Sequence, residues 1–497
     1  MSNPTRHFLA TCLLALVLPA PSFATGPGGE TAPHTKCLGA AVVSPQSPAP
    51  ADPYPLMAAG WGSELGKGLM ASRWVEDWSG MAAVGRAPSL KAIPISESTH
   101  LTLNSEVRLR WAARDDSQLL RGAHWDQGQL RAVFGADLRI SSHIRTYVEL
   151  GTGLVEGEND EAAANFDNQV SLQQLFVEVR GHAGSMLVGA MVGRQEYSDG
   201  PRQLISLSDG PNLHRTWNGV RLYTHGQRRR FGGFAFRETQ LGRGAFDEKI
   251  SDTERLHGLN ASFIVSPGEG PNTYLDSFWI HSESAKFRVA GRVAADDRDT
   301  AGFRLWGRRG PVRFDWTMAR QTGRTDGDRT IDAWGAFAVH SLQLSESGWK
   351  PRLTSRFDLA SGGGAYGTGA VRDFNPLYAS SNYLGESQFL ALSNLLMMAP
   401  GMQLSPSAGT TLSLEFGFAR RLVESDAVYA AGMRPYAGTE RVSGLRIGEL
   451  ARLSGRWTVS QRLSLNVNLE YLKPGEVLKA SGFTGGAYGY VSTTYRY

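Results

Sequence analysis

The run Leu101-Thr102-Leu103-Asn104-Ser105-Glu106-Val107-Arg108-Leu109-Arg110-Trp111 decides the fold class. Leu101, Leu103, Val107, Leu109 and Trp111 share one face, with Ser105 the exception, and Thr102, Asn104, Glu106, Arg108 and Arg110 share the other. Successive side chains of a β-strand point to opposite faces, so this period of two describes a strand with one apolar and one polar side. Segments of the same kind, bounded by Gly, Pro, Asn, Asp or Ser, recur from Thr99 to Tyr497. They place strands near 99–114, 127–141, 143–156, 169–181, 184–194, 214–226, 229–239, 256–266 and 273–283. A second series falls near 301–309, 311–322, 330–345, 350–363, 392–406, 409–424, 440–456, 460–474 and 484–497. That is about 18 strands; weak alternation near 169–194 and 440–456 leaves 16 open.

The connections alternate in length. Short ones fall at 141–142, 181–184, 226–228, 267–272, 310, 346–349, 406–408 and 457–460. Between them lie longer ones at 115–126, 157–168, 195–213, 240–255, 284–300, 323–329, 364–391, 425–439 and 475–483. Short turns on one side and long loops on the other are the pattern of an antiparallel transmembrane β-barrel, and a water-soluble sandwich has no reason for it. The chain ends Tyr488-Gly489-Tyr490-Val491-Ser492-Thr493-Thr494-Tyr495-Arg496-Tyr497. This alternating aromatic strand resembles the closing signal read by outer-membrane assembly machinery, and closure would remove an aggregation-prone edge.

Composition agrees with an all-β class. The 497 residues include 58 Gly, 12 Trp, 15 Tyr and 21 Phe, which suits many turns and many strands. A mean hydropathy of -0.26 excludes a polytopic helical membrane protein, because each helix would need about 20 consecutive apolar residues. The one long apolar run is Phe8 to Leu18, preceded by Arg6 and followed by Ser22-Phe23-Ala24, which reads as a signal peptide over 1–24. Residues 25–98 are rich in Pro, Gly and Ala and are expected to form a poorly ordered periplasmic leader, with one short helix near 71–80. The barrel then occupies 99–497, in the outer membrane of a Gram-negative cell. Cys12 leaves with the signal, so Cys37 has no partner for a disulfide.

The polar faces carry the charge. Eight of the 51 basic residues are Lys and the rest Arg; coding bias and bidentate anion recognition both produce such an excess, so position must decide. Hydrocarbon offers no partner for a charge, so the polar side of each strand must face the lumen. Strand phase puts Arg108, Arg110, Arg131, Arg139, Arg145, Arg221, Arg304, Arg313, Arg352 and Arg356 there, with Glu106, Asp137, Glu149, Asp315, Asp358 and Glu470. Converging guanidinium groups select anions, and interleaved carboxylates keep them apart. The same residues would serve equally as ion pairs that stiffen the wall.

Enzyme signatures are missing. The sequence has no GxSxG, no HExxH, no paired-Cys metal spacing and no phosphate-cradling Gly-Lys loop. No catalytic residue, cofactor or metal is therefore expected. A barrel enzyme such as a lipid hydrolase would need a Ser/His or Asp/His pair at a rim, and none stands out. Nothing points to nucleic acid.

Val192-Gly193-Arg194-Gln195, Trp217-Asn218-Gly219-Val220-Arg221-Leu222, Asp373-Phe374-Asn375-Pro376-Leu377-Tyr378, Tyr383-Leu384-Gly385-Glu386 and the last strand together resemble the alginate export porin family, over about 90–497. The resemblance implies an 18-stranded barrel whose arginine-lined constriction passes a polyuronate by passive diffusion, with acidic residues and a long external loop gating it. It adds Arg194 to the pore-lining set, and makes loop 364–391 or loop 157–168 the plug. Implied partners are an anionic polysaccharide or small anion as solute, outer-membrane lipid, and periplasmic export components; the family carries no motif in the leader. The alternative is a general or organic-acid porin that admits small anions.

Overall fold

The computed structural model describes residues 68–157, 162–198, 204–266, 272–380 and 382–497. The expected signal peptide and the first part of the leader lie outside these residues. Among them are eighteen long strands. The first nine are β1 His100–Asp115, β2 Trp125–Arg139, β3 Ile144–Gly157, β4 Asn168–Ala183, β5 Met186–Glu196, β6 Thr216–His225, β7 Arg229–Gln240, β8 Lys249–Ile264 and β9 Thr273–Val289. The rest are β10 Arg292–Arg309, β11 Val312–Thr325, β12 Arg329–Gln343, β13 Arg352–Ala360, β14 Leu395–Ser407, β15 Thr410–Arg420, β16 Arg446–Thr458, β17 Leu463–Pro474 and β18 Gly486–Arg496.

Each strand pairs antiparallel with its sequence neighbours. β18 pairs with β1 from Arg496 opposite Glu106 to Ala487 opposite Asp115, so the sheet closes into a barrel without an edge. The count is 18, not 16. Alternation is weak near 169–194 because the register between β3 and β4 shifts at Glu149/Leu150 and again at Gly151/Gly153, which breaks the period of two.

Two connections differ from expectation. Residues 284–300 do not form a long loop: β9 and β10 continue to Val289 and from Arg292, joined by Ala290 and Gly291, both left-handed (φ 49° and 79°). Two successive positive φ values make the turn whose twist matches a hairpin. Likewise 323–329 shrinks to Asp326, Gly327 and Asp328. At this end of the barrel both faces of the strands carry polar residues, such as Asp296, Asp297 and Arg298, so the apolar-polar period that reveals a strand vanishes.

The outer face is an apolar belt. Phe134, Leu154, Leu222, Leu259, Phe418 and Leu469 are all more than half exposed. In water such a surface would aggregate; around a barrel it meets acyl chains. Exposed Trp111, Trp279 and Trp334 lie toward the long-loop end, and Trp316 and Trp457 toward the short-turn end, as interfacial girdles do.

The lumen is partly filled. Residues 68–98, expected to be poorly ordered, dock inside the short-turn end, where Arg73–Val75 forms a 3-10 turn and Ser79–Ala82 a short helix. Trp74 and Val75 pack against inward Tyr147, Phe176, Met191 and Tyr223 of β3 to β6. From the long-loop end, segments 204–215 and 361–394 fold inward. Leu204, Ile205, Phe374, Leu384 and Phe389 form one apolar core with wall residues Phe234, Phe236, Leu256, Ile280 and Phe337. The inward face is therefore not uniformly polar: apolar positions occur where an inserted loop covers them, because burial there stabilises as in any protein interior.

A candidate solute path through the lumen

On the β1 to β3 wall, the expected arginines are inward and closed off. Arg108, Arg110, Arg131, Arg139 and Arg145 are each at most 7% exposed. Arg108 donates to the carbonyls of Asp209, Gly210 and Pro211 at 2.8, 3.2 and 2.6 Å. Arg110 reaches the Glu386 carboxylate at 3.0 Å and lies over the Tyr490 ring. Arg131 bridges Glu106 and Asp209, the latter at 2.8 Å. Arg139 and Arg145 share Asp137 at 3.1 and 2.8 Å. Arg139 also donates to the Glu76 carbonyl and Arg145 to that of Trp74.

The docked segment supplies its own cation here. Arg73, 2% exposed, sits 2.9 Å from Glu149 and 3.3 Å from Glu106. Of the expected acidic set, Glu106, Asp137 and Glu149 therefore face the lumen with their charge already matched. A buried ion pair is kept by its geometry, and removing one partner strands the other.

The β10 to β16 wall is different. Arg304 grips Asp315 with two bonds of 2.8 and 2.5 Å, 3.5 Å from Asp276, and remains partly exposed. Arg313 is exposed and Arg352 half-buried, held among the described residues by the Gln343 side-chain oxygen at 2.9 and 2.6 Å. Deeper in, Arg356 is buried between Glu415 at 2.7 Å and Asp358 at 3.3 Å, and Arg452 meets the same Glu415 at 3.1 Å. Loop 361–394 hangs on this wall, for Arg356 and Arg452 both donate to the Tyr383 carbonyl and the Tyr383 hydroxyl to Asp358 at 2.6 Å. Arg221 is inward on β6, its guanidinium 5.1 Å from the Tyr197 ring.

Arg194 is a correction. Its register neighbours are Leu175 and Asn218, and Val192, two residues before it, is 53% exposed to the outside. Side chains two apart share a face, so Arg194 points outward. There it donates to Glu248, Asn218 and the Leu172 carbonyl, at 2.9, 2.9 and 2.7 Å, under external loop 241–248. It pins a loop and does not line the lumen.

Residues 99–488 match the alginate export family. The chain belongs to that family. Among solved structures it is similar to three proteins of Pseudomonas aeruginosa. These are OccK3 (OpdO), at 12% identity and TM-score 0.53 over 81% of this chain and 96% of that one, and OpdQ, at 10% and 0.53 over 80% and 97%. The third is OpdK solved with vanillate, at 10% and 0.53 over 81% and 98%. At such identities the likeness shows the fold. No curated protein matches the chain. This member of the alginate export family is an outer-membrane channel of the Gram-negative type, and its family and fold are those of a transport protein rather than an enzyme.

For this family member, the inserted segments carry site residues that strand phase could not supply: Arg73, Asp209, His214 and Glu386. His214 lies between Glu196 and Asp209, the latter at 2.8 Å, beside Arg131 at 3.1 Å. Burial alone would lower its imidazole, but the Glu196 and Asp209 carboxylates outweigh that and lift it to about 9. Arg298, in the stretch read as a loop, is instead inward on β10, fully buried against Asp296 at 3.0 Å and Gln321 at 2.7 Å. Of the two expected plugs, 361–394 does cross the lumen; of the other, residues 158–161 lie outside the described ones. Asp115, Asp116 and His124 gather at the outer end of β1, but Asp116 already accepts from the Gly122 N–H at 2.7 Å and the Thr484 hydroxyl at 3.0 Å.

Proposed function

We propose that the channel is anion-selective and passes an anionic polysaccharide such as alginate, by passive diffusion, along the β10 to β16 wall. The observation that carries this reading is the row of solvent-reaching guanidinium groups on that wall. Arg304, Arg313, Arg352 and Arg452 stand on different strands of one closed cylinder, and none is sealed as the β1 to β3 arginines are. A polymer with one carboxylate per sugar must enter and also leave, so several moderate sites in series serve better than one tight site. Family membership supports the choice of polyuronate.

The rival is uptake of small organic anions. It gains support from the inserted segments, which narrow the lumen. Planar-bilayer recording separates the two. The polysaccharide reading expects anion-selective conductance blocked by polyuronate at lower concentration than by its monomer; equal block by both would hand the channel to small solutes. Arg304→Glu, Arg313→Glu and Arg352→Glu should each lower anion selectivity, while Arg243→Glu in external loop 241–248 should not.

A further inference from the structure

A second basic cavity opens away from this wall, among the outer ends of β1, β2 and β18 and the loops above them. It has about 260 Å³ of free volume, room for roughly one sugar ring, and is lined by Arg110, Arg114, Arg434, Trp125, Gln129 and Tyr488 among others. Its charges do not balance. Arg110 takes Glu386, the cavity's carboxylate, at 3.0 Å. Arg114 is held between the Trp125 and Tyr488 rings, at 5.4 and 4.9 Å, and makes one weak bond to the Glu386 carbonyl at 3.3 Å. Among the described residues neither Arg114 nor Arg434 has an ion-pair partner.

Two further groups point to what is missing. The Arg114 Nε–H is buried without a hydrogen-bond partner, and so is the Gln129 side-chain oxygen, on a residue only 5% exposed. The Gln129 amide donates one N–H to the Gln127 side-chain oxygen at 3.0 Å, which fixes its orientation and leaves its own oxygen an acceptor in need of a donor. Buried polar groups of this kind are costly until satisfied. The occupant must therefore bring an anionic group for two guanidiniums and a hydroxyl for Gln129.

We infer that this outer vestibule is a binding subsite for one carboxylate-bearing sugar, a uronate unit whose carboxylate bridges Arg114 and Arg434 and whose hydroxyl donates to Gln129. The subsite deepens the polyuronate reading and rests on it. It would hold the polymer at the external mouth, off the β10 to β16 wall.

The test is calorimetric titration of the detergent-solubilised full chain with glucuronate, with glucose and benzoate as controls, and with the tryptophan emission of the wild type minus that of Trp125→Phe as a local reporter. Expected is saturable glucuronate binding with a change in Trp125 emission, and a ~10-fold weakening in both Arg114→Gln and Arg434→Gln, the loss of one charge-assisted contact. Gln129→Leu should weaken glucuronate while leaving benzoate unchanged. Heat-modifiable gel migration confirms that each variant is folded, and Arg434→Gln, on a loop, stands in if Arg114→Gln is not. No glucuronate binding, equal binding of benzoate, or unweakened binding in a folded variant overturns the subsite. Bilayer recordings of the wild type separate the two ideas: an anion-selective channel that binds no glucuronate sinks the subsite alone, and a non-selective channel that binds it sinks the transport reading alone.

Discussion

The β1 to β3 wall and the β10 to β16 wall carry the same residue type in the same strand phase, yet most of the arginines on the two are held differently. Arg131 and Arg145 are 3% exposed and sealed by carboxylates and carbonyls of inserted segments, whereas Arg313 and Arg352 reach water. A guanidinium buried against carboxylates and carbonyls is a fastener. One that reaches water inside the barrel is, on the proposed reading, a selectivity element. What separates them is contact with an inserted segment: residues 68–98 and 204–215 cover the β1 to β3 arginines, and on the other wall loop 361–394 covers Arg298 and Arg356 but leaves Arg313 and Arg352 open.

The largest effect that would break this contrast is on the sealed side. Arg131→Ala takes one of three guanidiniums from buried Glu106, which keeps Arg73 and Arg496, and should cost about 1–3 kcal/mol of stability, read by urea unfolding in lipid vesicles. A loss under 1 kcal/mol would mean that these pairs do not hold the lumen contents in place. Deleting residues 68–98 should raise single-channel conductance, because the segment occupies the lumen; unchanged conductance would show that the path never passed that way.

On the open side, the triple change of Arg304, Arg313 and Arg352 to Glu should lower the anion-to-cation permeability ratio several-fold or more. At the same time, Arg313→Glu alone should shift stability by less than about 1 kcal/mol, as exposed charges do. Selectivity unchanged in the triple variant would dissolve the distinction between the walls.

The His214 latch gives a pH signature. A free imidazole titrates near 6.5, and that of His214 is raised to about 9 by its two carboxylate neighbours. Its contribution is thus complete below about pH 6.5 and is lost as pH rises through 9. Gating events of the 204–215 segment should grow more frequent between pH 7 and 10 in the wild type, and that growth should disappear in His214→Gln. The smallest effect belongs to Arg194→Gln, which should leave selectivity untouched and loosen loop 241–248 by about 1–2 kcal/mol, measured as faster proteolysis there.

Legibility followed the physics of each region. Inside the apolar belt, lipid on one side and water or protein on the other impose alternation, and each expected strand overlaps an observed one there. Beyond the belt both faces are polar, and the signal failed: 284–300 became strand, and Arg298 moved from a supposed loop into the lumen. Arg194 failed for a different reason. Its motif block fits the family, but Val192, two residues before it on the same strand, sets an outward phase. Residues 68–98 looked disordered because a single docked segment has no period of its own; its Trp74 and Arg73 gain order only from the wall they touch.

The bare sequence settled the closed barrel and the inward placement of most arginines, because a bilayer punishes a misplaced charge at every second position, while the choice of 18 strands over 16 waited for the pairing of the strands. Which of those arginines are fasteners and which face a passing solute depends on three segments distant in sequence that fold into the cylinder. Only the tertiary structure decides that, since the partners of Arg131, Arg145 and Arg356 include the groups of residues 209, 74 and 383, and no local period relates them.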